Sequence, residues 1–181
     1  SAAVALGGDY ARTRVEALLD APGASSDLVA VYFANETQML DFRTLQDHVA
    51  PRTTSDLLFK GAVEDEGRSV YSGLVHIRPD AQGAAASQTN RNLVLSPGAS
   101  AESIPNLEIE ANDVKCSHAS AVGPIDDDQL YYLASRGVPP EVAERLIVSG
   151  FFEDVIERLP VGSLADRLRA AVAGKFDARH G

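Results

Sequence analysis

Between residues 28 and 122 the chain carries one short apolar stretch after another, broken by Gly, Pro, Asn and Asp, with no helix of ordinary length among them. The stretches cover residues 28–33, 57–63, 69–77, 92–95, 107–111 and 114–122. Parallel strands normally need helical crossovers, so strands without helices leave an antiparallel sandwich, a barrel, or a β-helix whose own coils act as crossovers. Period-2 alternation places Leu57, Phe59, Gly61 and Val63 on one face and Leu58, Lys60, Ala62 and Glu64 on the other. Leu107, Ile109 and Ala111 likewise oppose Glu108 and Glu110, whereas Leu93, Val94 and Leu95 are apolar on both faces. Mixed one-sided and two-sided burial suits a stacked solenoid with part of its outside covered, although the strand spacing is too irregular to show a repeat.

After Pro124 the pattern becomes helical. Asp126 with Gln129 three residues later resembles a capping box, Asp127 and Asp128 complement the helix dipole, and Gly137 reads as a stop, giving a helix from 127 to 136. Pro139 and Pro140 open a second helix with Val142, Leu146 and Ile147 on one face; Gly150 weakens it, and Phe151, Phe152, Val155, Ile156 and Leu159 continue the pattern to Pro160. Ser163 is expected to cap a third, striped by Leu164, Leu168, Ala171 and Val172, before a frayed tail over 175–181. The expected division is a β-helix core over 1–124 and a helical domain over 125–181.

Sixteen Lys and Arg against 26 Asp and Glu leave a net charge of −10. Phosphate backbones and anionic lipid surfaces are bound mainly through cationic surfaces, so nucleic acid and membrane are poor partners. A single cysteine excludes an internal disulfide and a four-cysteine metal site, and with no signal peptide it points to a cytosolic (cytoplasmic) protein. The start at Ser1, without Met, reads as a portion of something longer.

Residues 61–69 superficially resemble a phosphate loop, but five residues separate Gly61 from Gly67, and Arg68 stands where Lys is required. A turn between two strands is the better reading. No GxSxG, HExxH or GxGxxG pattern occurs. The aspartates 126–128 lack the spacing of a calcium loop, and capping accounts for them. His48 and His76 lie in strand-like segments with no second ligand at metal spacing, and read as structural or surface histidines. Cys116 and His118 differ: in an extended segment they project from one face with Cα atoms ~6.6 Å apart. Thiolate and imidazole are ligands for borderline metals and iron-sulfur centres, but two ligands are too few unless another chain supplies the rest.

Several phrases resemble the SufB/SufD family of iron-sulfur cluster assembly scaffolds, and its SufD branch more closely. They are Leu45-Gln46-Asp47-His48-Val49-Ala50-Pro51-Arg52-Thr53-Thr54-Ser55-Asp56, Lys60-Gly61-Ala62-Val63, Gln88-Thr89-Asn90-Arg91-Asn92-Leu93, Ile104-Pro105-Asn106-Leu107-Glu108-Ile109, Val114-Lys115-Cys116-Ser117-His118, and Asp128-Gln129-Leu130-Tyr131-Tyr132-Leu133-Ala134-Ser135-Arg136-Gly137-Val138. They occur in the family's order over residues 29–159. The resemblance implies a right-handed parallel β-helix followed by a small helical domain, here as a C-terminal portion. It also implies a non-enzymatic subunit working with a SufB-like partner and a SufC-type ATPase. Within it, His118 is the cluster-assembly candidate, with Cys116 beside it near the seam with SufB. Any iron-sulfur cluster would be transient and shared with the partner chain, with none expected in the isolated fragment. The family has Gly-Ala-Thr after this His where the present chain has Ala119-Ser120-Ala121.

A truncated β region is expected to pair as a homodimer in isolation, since unpaired strand edges invite strand addition. Tyr132, Arg136, Phe151 and Phe152 are the expected anchors for the ATPase, because aromatics and Arg dominate interface hot spots. The rival readings are a purely structural self-associating module and a β-helix enzyme acting on polysaccharides. The latter requires a groove lined with acidic and basic side chains that the sequence does not mark.

Overall fold

A computed structural model describes residues 1–159 and 162–177. Nine strands precede three helices: β1 (Ala2–Ala5), β2 (Tyr10–Leu19), β3 (Ser25–Ala34), β4 (Met39–His48), β5 (Thr54–Val63), β6 (Arg68–Ile77), β7 (Ala84–Val94), β8 (Ser100–Ile109), β9 (Val114–Gly123), α1 (Asp127–Ser135), α2 (Pro140–Ile156) and α3 (Gly162–Asp177). The strands form two sheets, ordered β1-β3-β5-β7-β9 and β2-β4-β6-β8, and every pairing is parallel. Successive strands therefore alternate between sheets. Of the three architectures open to a helix-free run of strands, the chain adopts the β-solenoid, with about four turns.

Each coil returns to the same sheet after 27 to 32 residues, the limits being set by Ala2 opposite Val29 and Arg68 opposite Ser100. The corners stack as well. On one side Gly23, Arg52 and Gly83 have φ of 78°, 56° and 76°; on the other Gly8, Glu36 and Asp65 have φ of 85°, 53° and 56°. These left-handed residues recur at each corner from β1 to β7 and turn the chain between sheets. The Gly23 N–H donates to Pro51 O, that of Arg52 to Gln82 O and that of Gly83 to Asp113 O, linking each corner to the next. Residues 61–69, the superficial phosphate loop, straddle such a corner between β5 and β6.

Inside the solenoid, Leu28, Ala30 and Tyr32 of β3 meet Leu40 and Phe42 of β4, Leu57 and Phe59 of β5, and Tyr71 of β6. Tyr32, Phe42, Phe59 and Tyr71 form a ring series with successive centroids 4.6, 5.8 and 5.5 Å apart. Gly61 lies inward at this level because a Cβ there would stand 1.9 Å from the Tyr32 ring. The buried hydroxyls are partnered: Tyr32 donates to Asn92 Oδ1 at 2.6 Å, and the Tyr71 oxygen accepts from Gln88 Nε2 at 2.8 Å and lies 3.1 Å from Thr44 Oγ1.

The outer face of the five-stranded sheet is also apolar where β3 and β5 cross it. Val29, Val31, Phe33, Leu58 and Ala62 are covered by Val148, Phe152, Val155 and Ile156 of α2 and by Leu168, Val172 and Phe176 of α3. Polar clasps fix the helices there. Lys60 Nζ donates to Phe151 O at 2.8 Å and pairs with Asp154 at 2.7 Å, and Lys175 Nζ donates to Asn35 Oδ1 at 2.6 Å. No described helix is long and apolar enough to cross a membrane.

Several local expectations need correcting. Strands β1, β2 and β4 lie outside the predicted stretches, because many of their inward residues are small or polar and interrupt the apolar pattern of Val15, Leu19, Leu40 and Phe42: Ala11, Thr13 and Ala17 in β2, Thr44, Gln46 and His48 in β4. The helix start at Asp127 and its Asp126 cap agree, with Asp126 Oδ1 accepting from the Asp128 N–H at 2.9 Å. Helix α2 runs through Gly150 unbroken. Its buried residues are Ala143, Val148, Phe152, Val155 and Ile156, whereas Val142 and Leu146, placed on the core face by the sequence pattern, are 47% and 52% exposed. Ser163 lies inside α3 rather than capping it, and Leu164 and Ala171 of the predicted stripe are exposed. Lys175 and Phe176 are not tail but anchored helix; Pro160 and the rest of the predicted tail beyond 177 lie outside the described residues.

Candidate functional site

The helices turn back over β3 and β5, which leaves β8 and β9 as the outermost strands at one end of the solenoid. On β9 residues 117–122 are all exposed. Register fixes what that strand presents. Ala86, Gln88, Asn90 and Asn92, buried inward residues of β7, lie opposite Cys116, His118, Ser120 and Val122. Cys116 and His118 therefore project side by side, from the interior-facing side of a strand that no further coil covers.

The two side chains differ in environment. Cys116 is half-buried against Val75, Ile77, Ala84 and Ala86, and it lines a shallow depression with Thr54, Asp56, Ser87 and Lys115. Burial pushes its thiol above the ordinary range, opposed by a backbone hydrogen bond from Ala86. The thiol is thus held in its protonated form at neutral pH, and proton loss must accompany ligation. His118 is exposed, one step from a buried polar chain. Its register neighbour Gln88 is 1% exposed and donates through Nε2 to the Tyr71 hydroxyl, while its Oε1 is buried without a hydrogen-bond partner. Ser103 Oγ on the outermost strand β8 is another such atom. One thiol and one imidazole at an open end are half of a coordination set.

The other sequence candidates divide. Tyr132 on α1 and Arg136 at its C-cap are exposed, with the guanidinium 4.9 Å from the Tyr132 ring centroid. Tyr132 borders a depression shared with Asp128, Leu133 and Ile147. Phe151 is half-buried over Lys60, and Phe152 is fully buried between α2 and the sheet. Phe152 thus packs the helices in this conformation and presents nothing to a partner. His48 is a buried structural residue, its two ring nitrogens 2.8 and 2.9 Å from Thr53 Oγ1 and Ser55 Oγ. Sequence reasoning missed Gln88, whose only signal is a polar residue at an inward strand position. It also missed that stacking brings Glu110 to His76.

Comparison with known proteins identifies similar sequences. Residues 1–151 match the family model described as SUF system FeS cluster assembly, SufBD core domain. An iron-sulfur cluster assembly SufBD family protein of Mycobacterium leprae is 42% identical over 93% of this chain and 45% of its own length. The iron-sulfur cluster assembly protein SufD of Bacillus subtilis is 35% identical over 84% of this chain and 35% of its own length. That of Escherichia coli is 32% identical over 94% and 40%. The chain spans less than half the length of each of these relatives.

Proposed function

Because the chain belongs to the SufB/SufD family of iron-sulfur cluster assembly proteins, we propose that it is a non-enzymatic scaffold part that supplies Cys116 and His118 to a cluster-assembly site completed by a second subunit. One observation carries the reading: the only cysteine of the chain and His118 stand together on an outermost strand whose inward side lies open. The partner is a SufB-like chain that docks against β8 and β9, adds strand pairing to the free edge of β9 and brings further thiolates. Iron and sulfide are the cargo, and the cluster is transient. His118 leads because it is exposed, whereas Cys116 must lose a proton that burial retains.

The helices supply the second contact. Tyr132 and Arg136, exposed together at the C-terminal end of α1, bind a SufC-type ATPase, together with Phe151. Without the SufB-like partner, β9 meets β9 of a second copy and the chain dimerises. The decisive test reconstitutes the complete chain with both partners and measures iron, sulfide and visible absorbance. His118→Ala abolishes cluster content with the complex intact, and Cys116→Ser lowers it less; a wild-type cluster content in His118→Ala reduces the protein to the alternative, a purely structural module.

A further inference from the structure

The outer face of the four-stranded sheet carries a second group of potential ligands, remote in sequence and adjacent only through the stacking of coils. His76 on β6 lies directly opposite Glu108 on β8, and Glu110 follows two positions on, so that both carboxylates project on the side of the imidazole. One ligand atom from each of the three residues lies within 4.8 Å of those of the other two. We propose that His76, Glu108 and Glu110 bind a divalent first-row transition metal ion, with Asp47 orienting the imidazole from behind.

Three observations support the assignment. First, both nitrogens of His76 face carboxylates, but those carboxylates differ. Nδ1 is 3.4 Å from Asp47 Oδ1, and Asp47 is 7% exposed and held by two hydrogen bonds from Arg78, at 2.9 and 2.8 Å. A fixed carboxylate on that side of the ring is placed to orient it and leaves Nε2 turned toward the glutamates, as carboxylates do behind metal-bound histidines. Second, Nε2 lies 3.4 Å from Glu110 Oε2, longer than a good N–H···O hydrogen bond of ~2.7–3.2 Å. It matches the separation of two ligands each ~2.1 Å from a tetrahedral ion. Third, the charges need a cation. Arg78 pairs with Asp47 and reaches Glu110 only as a weaker charge, so Glu108 and Glu110 still place two negative charges beside one imidazole. One imidazole and two carboxylates suit zinc, ferrous iron or manganese, and three protein ligands leave positions for water. Glu108 on the outermost strand β8 and Glu110 just past its end are both exposed, so an ion has direct access.

The test uses the untagged chain in the Cys116→Ser/His118→Ala background, so that the open end contributes no ligand. Calorimetric titration with zinc is expected to give one ion per chain there, as in the parent. His76→Ala should weaken binding by more than ~100-fold, and Asp47→Asn by ~10–100-fold at unchanged stoichiometry, as for other residues behind metal ligands. Far-UV circular dichroism controls folding, and the exposed Glu110→Gln tests the site without disturbing the interior. Saturable binding that survives in the double variant and falls in both His76→Ala and Glu110→Gln sustains the site. Absence of saturable binding leaves His76 as an ion-pair partner only, and binding that disappears in the double variant assigns the ion to Cys116 and His118. Either result overturns the proposal without touching the assembly role, which is read from cluster content.

Discussion

β3 and β9 belong to the same five-stranded sheet, share its parallel pairing and end in opposite situations. The outward residues of β3, namely Val29, Val31 and Phe33, are 7%, 1% and 0% exposed because α2 and α3 lie on them. β9 has residues 117–122 exposed and Val122 at 44%. A sheet surface of this kind is apolar wherever something covers it, and the chain supplies that cover at β3 and β5 but not at β9. The difference teaches where to look for another molecule. The surface the chain closes for itself carries packing residues, and the strand it leaves open carries its cysteine, a histidine and an unpaired edge.

Breaking the closed side should have the largest effect. Phe152 is fully buried beneath α2, and Phe152→Ala should cost ~3–5 kcal/mol, the range for large aromatic truncations in cores. Denaturant unfolding followed by circular dichroism checks it; a loss below ~1 kcal/mol would show that the helices rest on the sheet loosely. Gly61→Val comes next. Its Cβ would fall inside the Tyr32 ring, so either the ring or the strand must move, with an expected cost of ~1–3 kcal/mol by overpacking.

A smaller, pH-dependent effect sharpens the account of the interior. Burial holds the His48 imidazole below its ordinary 6.5, partly offset by the Asp47 charge. On acidification the unfolded chain therefore takes up this proton first and the folded chain only at lower pH. The stability contributed by neutral His48 is complete above 6.5 and is lost as the pH falls from there toward the depressed native value. Urea midpoints between pH 7.5 and 5.5 should drop more steeply for the parent than for His48→Gln; parallel slopes would mean that His48 takes up its proton equally readily in both states. The smallest effect on stability belongs to the open end. Val122→Lys should change it by less than ~0.5 kcal/mol, as surface substitutions do, yet weaken self-association measured by ultracentrifugation.

This contrast also explains what the sequence revealed. Segments with bulky inward residues, such as Leu57, Phe59 and Val63 in β5, were legible as strands, and so was the Asp126 cap. The coil repeat was not, because its markers are backbone conformations rather than residue types. One left-handed corner is filled in turn by Gly23, Arg52 and Gly83, and the opposite one by Gly8, Glu36 and Asp65. β4 escaped notice because Thr44, Gln46 and His48 point inward, where a strand pattern expects apolar side chains. In α2 a nearly uniform apolar composition hid which face is buried, and Phe152 rather than Leu146 fills the core. Cys116 and His118 were visible as a pair because they lie two residues apart on one strand. Gln88 below His118 and Glu110 beside His76 were not, since only stacking of coils 30 or so residues long brings such residues together.

The account's central claim is that the uncovered end is completed by a second subunit, and amide hydrogen exchange tests it most directly. In the isolated chain the β9 amides whose hydrogens face away from β7 should exchange fast, and those of β3 and β5 slowly. Adding a SufB-like partner should protect β9 and β8 while leaving β3 and β5 unchanged. A complex that forms with β9 exchanging as fast as before, and with protection confined to the helices or to the β1 and β2 end, would contradict the claim.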